Sequence, residues 1–187
     1  MRQGVLYGVG VGPGDPELLT LKALRTLERC PVIAAPRTRG GEMLALDIVR
    51  RATPLEHKTI LPLDFTMSRD PAVLHESHLR AAETIAAHLS AGQDVAMLNL
   101  GDVSIYATFG YLMEILTGGG YEAVMVPGVP SFCAVAARLG TSLTTAASPL
   151  HILPASRDTL AEQLELPGTK VLMKSGRQLP QVAELLE

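Results

Sequence analysis

Short apolar runs alternate with longer amphipathic segments along most of the chain. Apolar runs of about four to eight residues are typical of strands buried on both faces, whereas apolar residues that recur every three to four positions predict helices. The predicted strands are Val5 to Val11, Val32 to Ala35, Thr59 to Leu63, Val95 to Leu100 and Ala123 to Val126. The predicted helices are Pro16 to Arg29, Glu42 to Arg51, Ala72 to Ala91, Ile105 to Leu116 and Ser131 to Leu139. This alternation predicts an α/β fold in which a mostly parallel sheet carries helices on both faces.

The pattern changes after Gly140, where residues 141–149 are rich in Ser, Thr, Ala and Pro and show little periodicity. Such a segment is typical of a linker. We therefore predict an N-terminal α/β domain over residues 1–140 and the start of a C-terminal α/β domain over residues 141–187. The predicted elements of the second domain are strands at His151 to Pro154 and Lys170 to Lys174, a helix near Asp158 to Leu164 and another from Leu179. Because two strands rarely form a stable sheet alone, we expect this domain either to be truncated or to pack against a partner.

The composition excludes several classes of protein. Hydrophobic residues make up 47% of the 187 positions, which is enough to bury a substantial core. The formal net charge is −3 and the chain has no run of lysine or arginine, so we expect no nucleic-acid partner. Every apolar run is shorter than the roughly 20 residues needed to cross a bilayer. We therefore expect a soluble, cytoplasmic protein without a membrane partner.

Cysteine and histidine do not form a metal-binding pattern. Cys30 and Cys133 lie among apolar neighbours and not in a Cys-x-x-Cys pair, so we expect two buried free thiols. His75 and His78 lie three residues apart on a predicted helix, but no third ligand has a recognisable spacing. The sequence therefore predicts no protein-bound metal.

A glycine-rich turn follows the first predicted strand. The residues from Val5 to Asp15 read Val-Leu-Tyr-Gly-Val-Gly-Val-Gly-Pro-Gly-Asp, and Asp15 occupies the cap position of the helix that begins at Pro16. The spacing lacks the third glycine of a dinucleotide fingerprint, and no Gly-Lys-Ser/Thr follows, so an NAD or triphosphate site is not predicted. The turn either holds another ligand or only reverses the chain.

Two further turns follow predicted strands in the same way, at residues 99–106 and 126–132. In an open α/β sheet, ligands bind at the carboxyl ends of the strands, so we expect the three turns to converge there. Asp102 is a ligand-facing carboxylate, the cap of the helix that follows it, or both. Tyr106, one turn later, would face the same crevice, although a tyrosine there is equally compatible with a place in the core.

These turns carry a family resemblance. Tyr-Gly-Val-Gly-Val-Gly-Pro-Gly-Asp-Pro-Glu at 7–17, Gly-Asp-x-x-x-Tyr at 101–106 and Val-Pro-Gly-Val-x-Ser at 126–131 resemble, in order, signatures of the tetrapyrrole (class III) methyltransferases. Val103 departs from that pattern, in which proline often follows Gly-Asp. The resemblance implies a two-domain fold, a homodimer and S-adenosylmethionine as cofactor, bound between the domains. The cofactor contacts it implies are Pro13, Leu100, Gly101, Asp102, Ile105, Pro130, Ser131 and Met173.

Methyl transfer from a sulfonium needs positioning more than a nucleophilic side chain, because the donor and acceptor must be held about 3 to 3.5 Å apart. Methylation of a macrocycle carbon also releases a proton, for which Asp102 and Tyr106 are the candidate general bases. A tetrapyrrole substrate carries several carboxylates, which arginine binds well. Arg37 and Arg39, in the loop after the second strand, and Arg69, before the long helix, are therefore either substrate-binding residues or solvated loop charges.

Two other functions stay open at this point. Relatives that share the resemblance methylate other acceptors, including other tetrapyrroles and RNA, although an RNA acceptor would require a basic face that this chain lacks. Alternatively, the same crevice holds an adenosyl ligand without any transfer.

Overall fold

The computed structural model describes residues 2–66, 68, 70–155, 160–176 and 179–186. The chain divides into two compact units, Met1–Ser131 and Phe132–Glu187. The division therefore falls before the boundary at residue 140 that the linker composition predicts.

The first unit contains a five-stranded sheet in which every neighbouring pair is parallel. Its strands are β1 (Val5–Gly10), β2 (Val32–Arg37), β3 (Thr59–Asp64), β4 (Val95–Asn99) and β5 (Glu122–Val126). The order across the sheet is β3-β2-β4-β1-β5. All five predicted strands are thus present, and the α/β prediction is confirmed.

Four helices cover the two faces of this sheet. They are α1 (Leu21–Arg29), α2 (Leu44–Arg50), α3 (Pro71–Ser90) and α4 (Phe109–Gly118). One buried apolar cluster lies between the sheet and α1 and α2, and another lies between the sheet and α3 and α4. β1 contributes to both, because alternate side chains of a strand point to opposite faces: Leu6 enters the second cluster and Val9 the first.

The predicted helix from Pro16 to Arg29 is wrong in its first turn. Pro16–Leu18 forms a 3-10 helix that Asp15 caps by accepting a hydrogen bond from the Glu17 amide at 2.9 Å. Leu19 and Thr20 are extended, and the Thr20 hydroxyl caps α1 at the Ala23 amide, 3.1 Å away. Two competing caps so close together divide what the hydrophobic pattern predicts as one helix.

The second unit is smaller. It contains α5 (Ser131–Leu139, whose first residue is the last of the first unit), β6 (Leu150–Pro154), α6 (Leu160–Leu164), β7 (Thr169–Met173) and α7 (Leu179–Leu186). β6 and β7 pair in parallel, and Leu153, Leu160 and Val182 are buried together beside them. These elements agree with the predicted ones, except that Asp158 lies outside the described residues.

The two cysteines differ from the prediction. Cys30 is buried, and burial raises the pKa of its thiol to about 11. Cys133 is exposed on α5, so the prediction that both thiols are buried is wrong for this one. An apolar sequence neighbourhood does not determine which side of a helix a residue occupies, and Val135 and Leu139 of α5 are exposed as well. None of the helices formed by the described residues has the length and apolar character needed to span a membrane.

Lys58 fixes the end of α1. Its ammonium donates hydrogen bonds to the carbonyl oxygens of Glu28 at 2.8 Å and Cys30 at 2.9 Å, where the helix leaves carbonyls without intrahelical partners. We expect Lys58→Met to lower the free energy of unfolding by about 1 kcal/mol, measured by urea denaturation. Lys22→Met, on the exposed side of α1, is the control and should be nearly neutral. An equal loss in both variants would contradict the capping role of Lys58.

Candidate functional site

The turns after β1, β4 and β5 meet at the carboxyl edge of the sheet, which confirms the predicted convergence. Gly12 and Gly101 form an antiparallel bridge with N–H to carbonyl distances of 3.2 and 2.8 Å, and the Val11 amide donates to the Asn99 carbonyl at 2.9 Å. The Thr20 hydroxyl donates to the Pro127 carbonyl at 3.3 Å. The convergence follows from the strand order, because β1 lies between β4 and β5.

Three glycines allow these turns to come so close. A Cβ on Gly128 would lie 2.3 Å from the Gly101 carbonyl oxygen and 2.8 Å from the Gly10 Cα, and a Cβ on Gly10 would lie 2.6 Å from the Gly128 nitrogen. Gly101 also has a φ of +69°, which glycine adopts at little cost. The three turns can therefore pack this closely only because these positions have no side chain.

Asp102 ties the turn after β4 to the turn after β5. One carboxylate oxygen accepts hydrogen bonds from the Ser104 amide, at 2.8 Å, and from the Ser104 hydroxyl. The other oxygen accepts from the Gly128 amide at 2.8 Å. The alternative that Asp102 caps the following helix is therefore wrong, because α4 begins seven residues later, at Phe109. The ligand-facing role of Asp102 stays a prediction.

Hydrogen bonding controls the ionisation of this carboxylate. Partial burial raises the pKa of Asp102, but the hydrogen bonds from Ser104, Gly128 and Val103 together outweigh burial and hold the pKa below its ordinary value. Asp102 is therefore ionised at neutral pH and is a weak proton acceptor.

Tyr106 lies in the irregular segment before α4, so the predicted helix from Ile105 to Leu116 is wrong in its first turn. Tyr106 has a φ of +50°, a left-handed conformation that is rare for a residue with a side chain, and it is 42% exposed. It is therefore neither a helical residue nor a core residue. Strained backbone of this kind concentrates at functional sites.

Arg37 and Asp64 are direct partners at the same edge of the sheet. They pair in the β2–β3 register, and the guanidinium donates to both carboxylate oxygens at 2.9 and 2.6 Å. The hydrogen bond from Arg37 holds the pKa of Asp64 below its usual value. Arg37 is thus the paired last residue of β2 and not a loop residue, although its side chain stays exposed to water. Asp64 was not predicted as a site residue, although it directly follows a predicted strand, as Arg37 follows the adjacent one after a single proline.

Arg39 is exposed, and no described residue forms an ion pair with it. Arg69 lies outside the described residues. The substrate-binding role of these arginines stays a prediction.

The other predicted cofactor contacts fall into three groups. Pro13, Ile105 and Pro130 are half-buried at the three turns, and Leu100 is 51% exposed beside Gly101. Ser131 is the exposed first residue of α5, and its nitrogen lies 3.8 Å from the position that a Cβ on Gly101 would occupy. Met173 ends β7 in the second unit, and its contact with a cofactor stays a prediction.

A groove of about 520 Å³ lies elsewhere on the first unit, between α1 and β5. Its lining residues are Tyr7, Leu21, Lys22, Arg25, Thr26, Arg29, Val124 and Val126. None of the predicted site residues is among them. The convergence of the three turns, and not the size of a cavity, is therefore the basis for the candidate site.

The described residues contain no group of three or more His, Cys, Asp and Glu side chains that is placed to hold a metal ion. His78 instead stacks on the ring of Tyr111 at a centroid distance of 4.7 Å, and burial lowers the pKa of its imidazole.

Comparison with known proteins agrees with this geometry. The family described as tetrapyrrole (corrin/porphyrin) methylases matches residues 5–187. The chain is 35% identical to the cobalamin biosynthesis protein CobIJ of Mycobacterium tuberculosis over 98% of its own length, but it spans only 38% of that relative. It is 33% identical to the cobalt-precorrin-2 C(20)-methyltransferase of Salmonella typhimurium, covering 98% of this chain and 78% of the relative.

Among solved structures, the chain is similar to uroporphyrin-III C-methyltransferase from Thermus thermophilus, in a complex with S-adenosyl homocysteine. The TM-score is 0.70 and the sequence identity is 27%, covering 98% of this chain and 72% of that one.

Proposed function

The chain belongs to the tetrapyrrole (corrin/porphyrin) methylase family, and from this premise we propose that it transfers a methyl group from S-adenosylmethionine to C-20 of a reduced tetrapyrrole in cobalamin biosynthesis. The proposed acceptor is precorrin-2 or its cobalt-containing counterpart. The likeness to a cobalt-precorrin-2 C(20)-methyltransferase over 98% of the chain supports this choice. A different tetrapyrrole acceptor, such as uroporphyrinogen III, is the second candidate, because the chain also resembles a uroporphyrin-III C-methyltransferase.

The observation that carries the proposal is the three-turn junction at the carboxyl edge, formed by the turns after β1, β4 and β5. The space beside Gly14 is open, and the apolar side chain of Leu100 is exposed next to Gly101. An open space beside a turn together with an exposed apolar side chain suits a ligand that combines a polar amino-acid end with an aromatic base. The residues present therefore fit S-adenosylmethionine.

The chain's own residues would hold the methyl donor and the acceptor in position. When bound, S-adenosylmethionine supplies a methyl group on a sulfonium whose departure leaves a neutral thioether. Asp102 holds two of the turns in register, and the glycines bring their backbones together. Because both carboxylate oxygens of Asp102 accept hydrogen bonds and its pKa is lowered, we assign it positioning and not proton removal. The hydroxyl of Tyr106 is the remaining candidate to contact the acceptor or its departing proton.

The test is calorimetric titration with S-adenosylhomocysteine, followed by transfer of isotope-labelled methyl to precorrin-2, cobalt-precorrin-2 and uroporphyrinogen III. We expect micromolar binding and transfer to one of the first two acceptors. Tyr106→Phe should retain cofactor binding and lose most of the turnover, since only the hydroxyl is removed. Transfer to uroporphyrinogen III alone would favour the second candidate, and binding without any transfer would indicate an adenosyl-binding module. Failure to bind would overturn the proposal.

A further inference from the structure

The pair formed by Arg37 and Asp64 lies at the same carboxyl edge of the sheet as the three-turn junction. β2 and β4 are neighbours in a register that pairs Ala34 with Met97. Arg37 and Leu100, which begins the turn after β4, each follow that last pair by three residues. A guanidinium is thus one strand away from the predicted cofactor contacts, and it already holds a carboxylate.

The geometry of this pair is that of carboxylate recognition. The two donors Nε and Nη2 of Arg37 engage the two oxygens of Asp64 in the parallel, bidentate arrangement by which arginine binds carboxylates in general. A carboxylate on a ligand would seek the same two donors. Asp64 therefore occupies the position that such a ligand group would take.

A ligand carboxylate can also replace Asp64 as the partner of Arg37. The side chains of Arg37 and Asp64 are 40% and 66% exposed, so water can solvate either group when the pair separates. Exposed ion pairs contribute little to stability because water screens them and both side chains lose conformational freedom. A ligand carboxylate that is held in place by other contacts of the same molecule can compete with Asp64, whereas a free monocarboxylate has no such advantage.

We propose that Asp64 is a specificity-determining residue that competes with the acceptor's carboxylates for Arg37, so that only a ligand anchored through several groups displaces it. This inference rests on the proposed function, because it requires a polycarboxylate acceptor at the carboxyl edge of the sheet. It extends that function by assigning Asp64 as the residue that determines how strongly a ligand carboxylate must be held before it binds Arg37.

The test uses uroporphyrin as a stable polycarboxylate macrocycle, with binding followed by its fluorescence at physiological ionic strength. We expect Asp64→Asn to tighten uroporphyrin binding about two- to fivefold, because the competing charge is removed. Arg37→Gln should weaken binding, and the double variant should bind as weakly as Arg37→Gln alone. S-adenosylhomocysteine binding should be unchanged in all three variants.

The matched control is Glu76→Gln, which breaks the ion pair between Glu76 and Arg80 on α3. That pair has the same 2.6 Å separation and similar exposure, at 68% and 61%. An equal gain in uroporphyrin binding in Glu76→Gln and Asp64→Asn would overturn the inference, because it would reflect net charge alone. Unchanged or weaker binding in Asp64→Asn, with wild-type binding intact, would overturn this inference and leave the proposed function standing. Absence of uroporphyrin binding in both wild type and Asp64→Asn, with S-adenosylhomocysteine still bound, would overturn both the inference and the acceptor class.

Discussion

Gly128→Ala should be the most damaging single substitution at the carboxyl edge of the sheet. The new Cβ would lie 2.3 Å from the Gly101 carbonyl oxygen and 2.7 Å from the Gly10 carbonyl carbon, and both neighbours are backbone atoms that cannot rotate away. Relief requires separation of the turns after β1, β4 and β5, and with it loss of the hydrogen bond from Gly128 to Asp102. We expect a loss of about 3 kcal/mol or more in the free energy of unfolding, measured by urea denaturation.

Gly110→Ala is the matched control. Gly110 lies within α4, and nothing lies within 4 Å of the position that its Cβ would take. Alanine there should stabilise the chain by about 0.5 to 1 kcal/mol, since it lowers the backbone entropy lost on folding. If Gly128→Ala unfolds at the same urea concentration as wild type, the three turns are not packed as described.

Asp102→Ala and Asp102→Asn should both weaken S-adenosylhomocysteine binding at least tenfold in the calorimetric titration. Alanine removes the acceptor for the Gly128 amide and for Ser104, and hydrogen bonds to charged groups contribute about 1.5 to 3 kcal/mol each. Asparagine keeps a single oxygen, so its NH₂ group must face one of the remaining donors. We therefore expect it to be little better than alanine. Asp47→Asn, on the exposed side of α2, should bind as wild type does.

The effect of Asp102 on stability should depend on pH. Its pKa in the folded state lies below the ordinary value of 3.8, so ionisation favours the folded protein. That contribution is complete above the unfolded-state pKa and is lost as the pH falls through the folded-state pKa. The difference in unfolding free energy between wild type and Asp102→Asn should therefore be largest near pH 7 and should shrink below about pH 4. A constant difference across this range would contradict the role of the carboxylate charge.

The sequence predicted the strands and the three-turn junction because both depend on local signals. Gly10 is the last residue of β1, and Gly101 and Gly128 each follow an apolar strand after one intervening residue, so their spacing is visible without a structure. The start of α4 was predicted too early because the apolar periodicity continues back to Ile105, whereas Asp102 uses its carboxylate to bind Ser104 and Gly128. Gly128, whose amide binds the Asp102 carboxylate, is distant from Asp102 in the sequence, so this hydrogen bond could not be predicted from the local pattern.

The same reason explains why the pairing of Arg37 was not predicted. Its partner belongs to the next strand, and only the β2–β3 register brings Asp64 opposite it. A charged residue after one strand is visible in the sequence, but whether it has an oppositely charged partner depends on which strands are neighbours in the sheet. The exposure of Cys133 was also missed, because it depends on which side of α5 contacts its own unit.

The strand order also determines when the candidate site can first exist during synthesis. β1 is the first strand made, yet its neighbours are β4 and β5, so Val5 pairs with Glu122 and Leu6 with Val95. At roughly 5 to 20 residues per second, the ribosome takes several seconds to supply these partners. Until then β2 and β3 can pair with each other, but β1 has both edges open. A ligand of the candidate site therefore cannot stabilise the folded state at an early stage, because the last of the three turns to emerge completes the site.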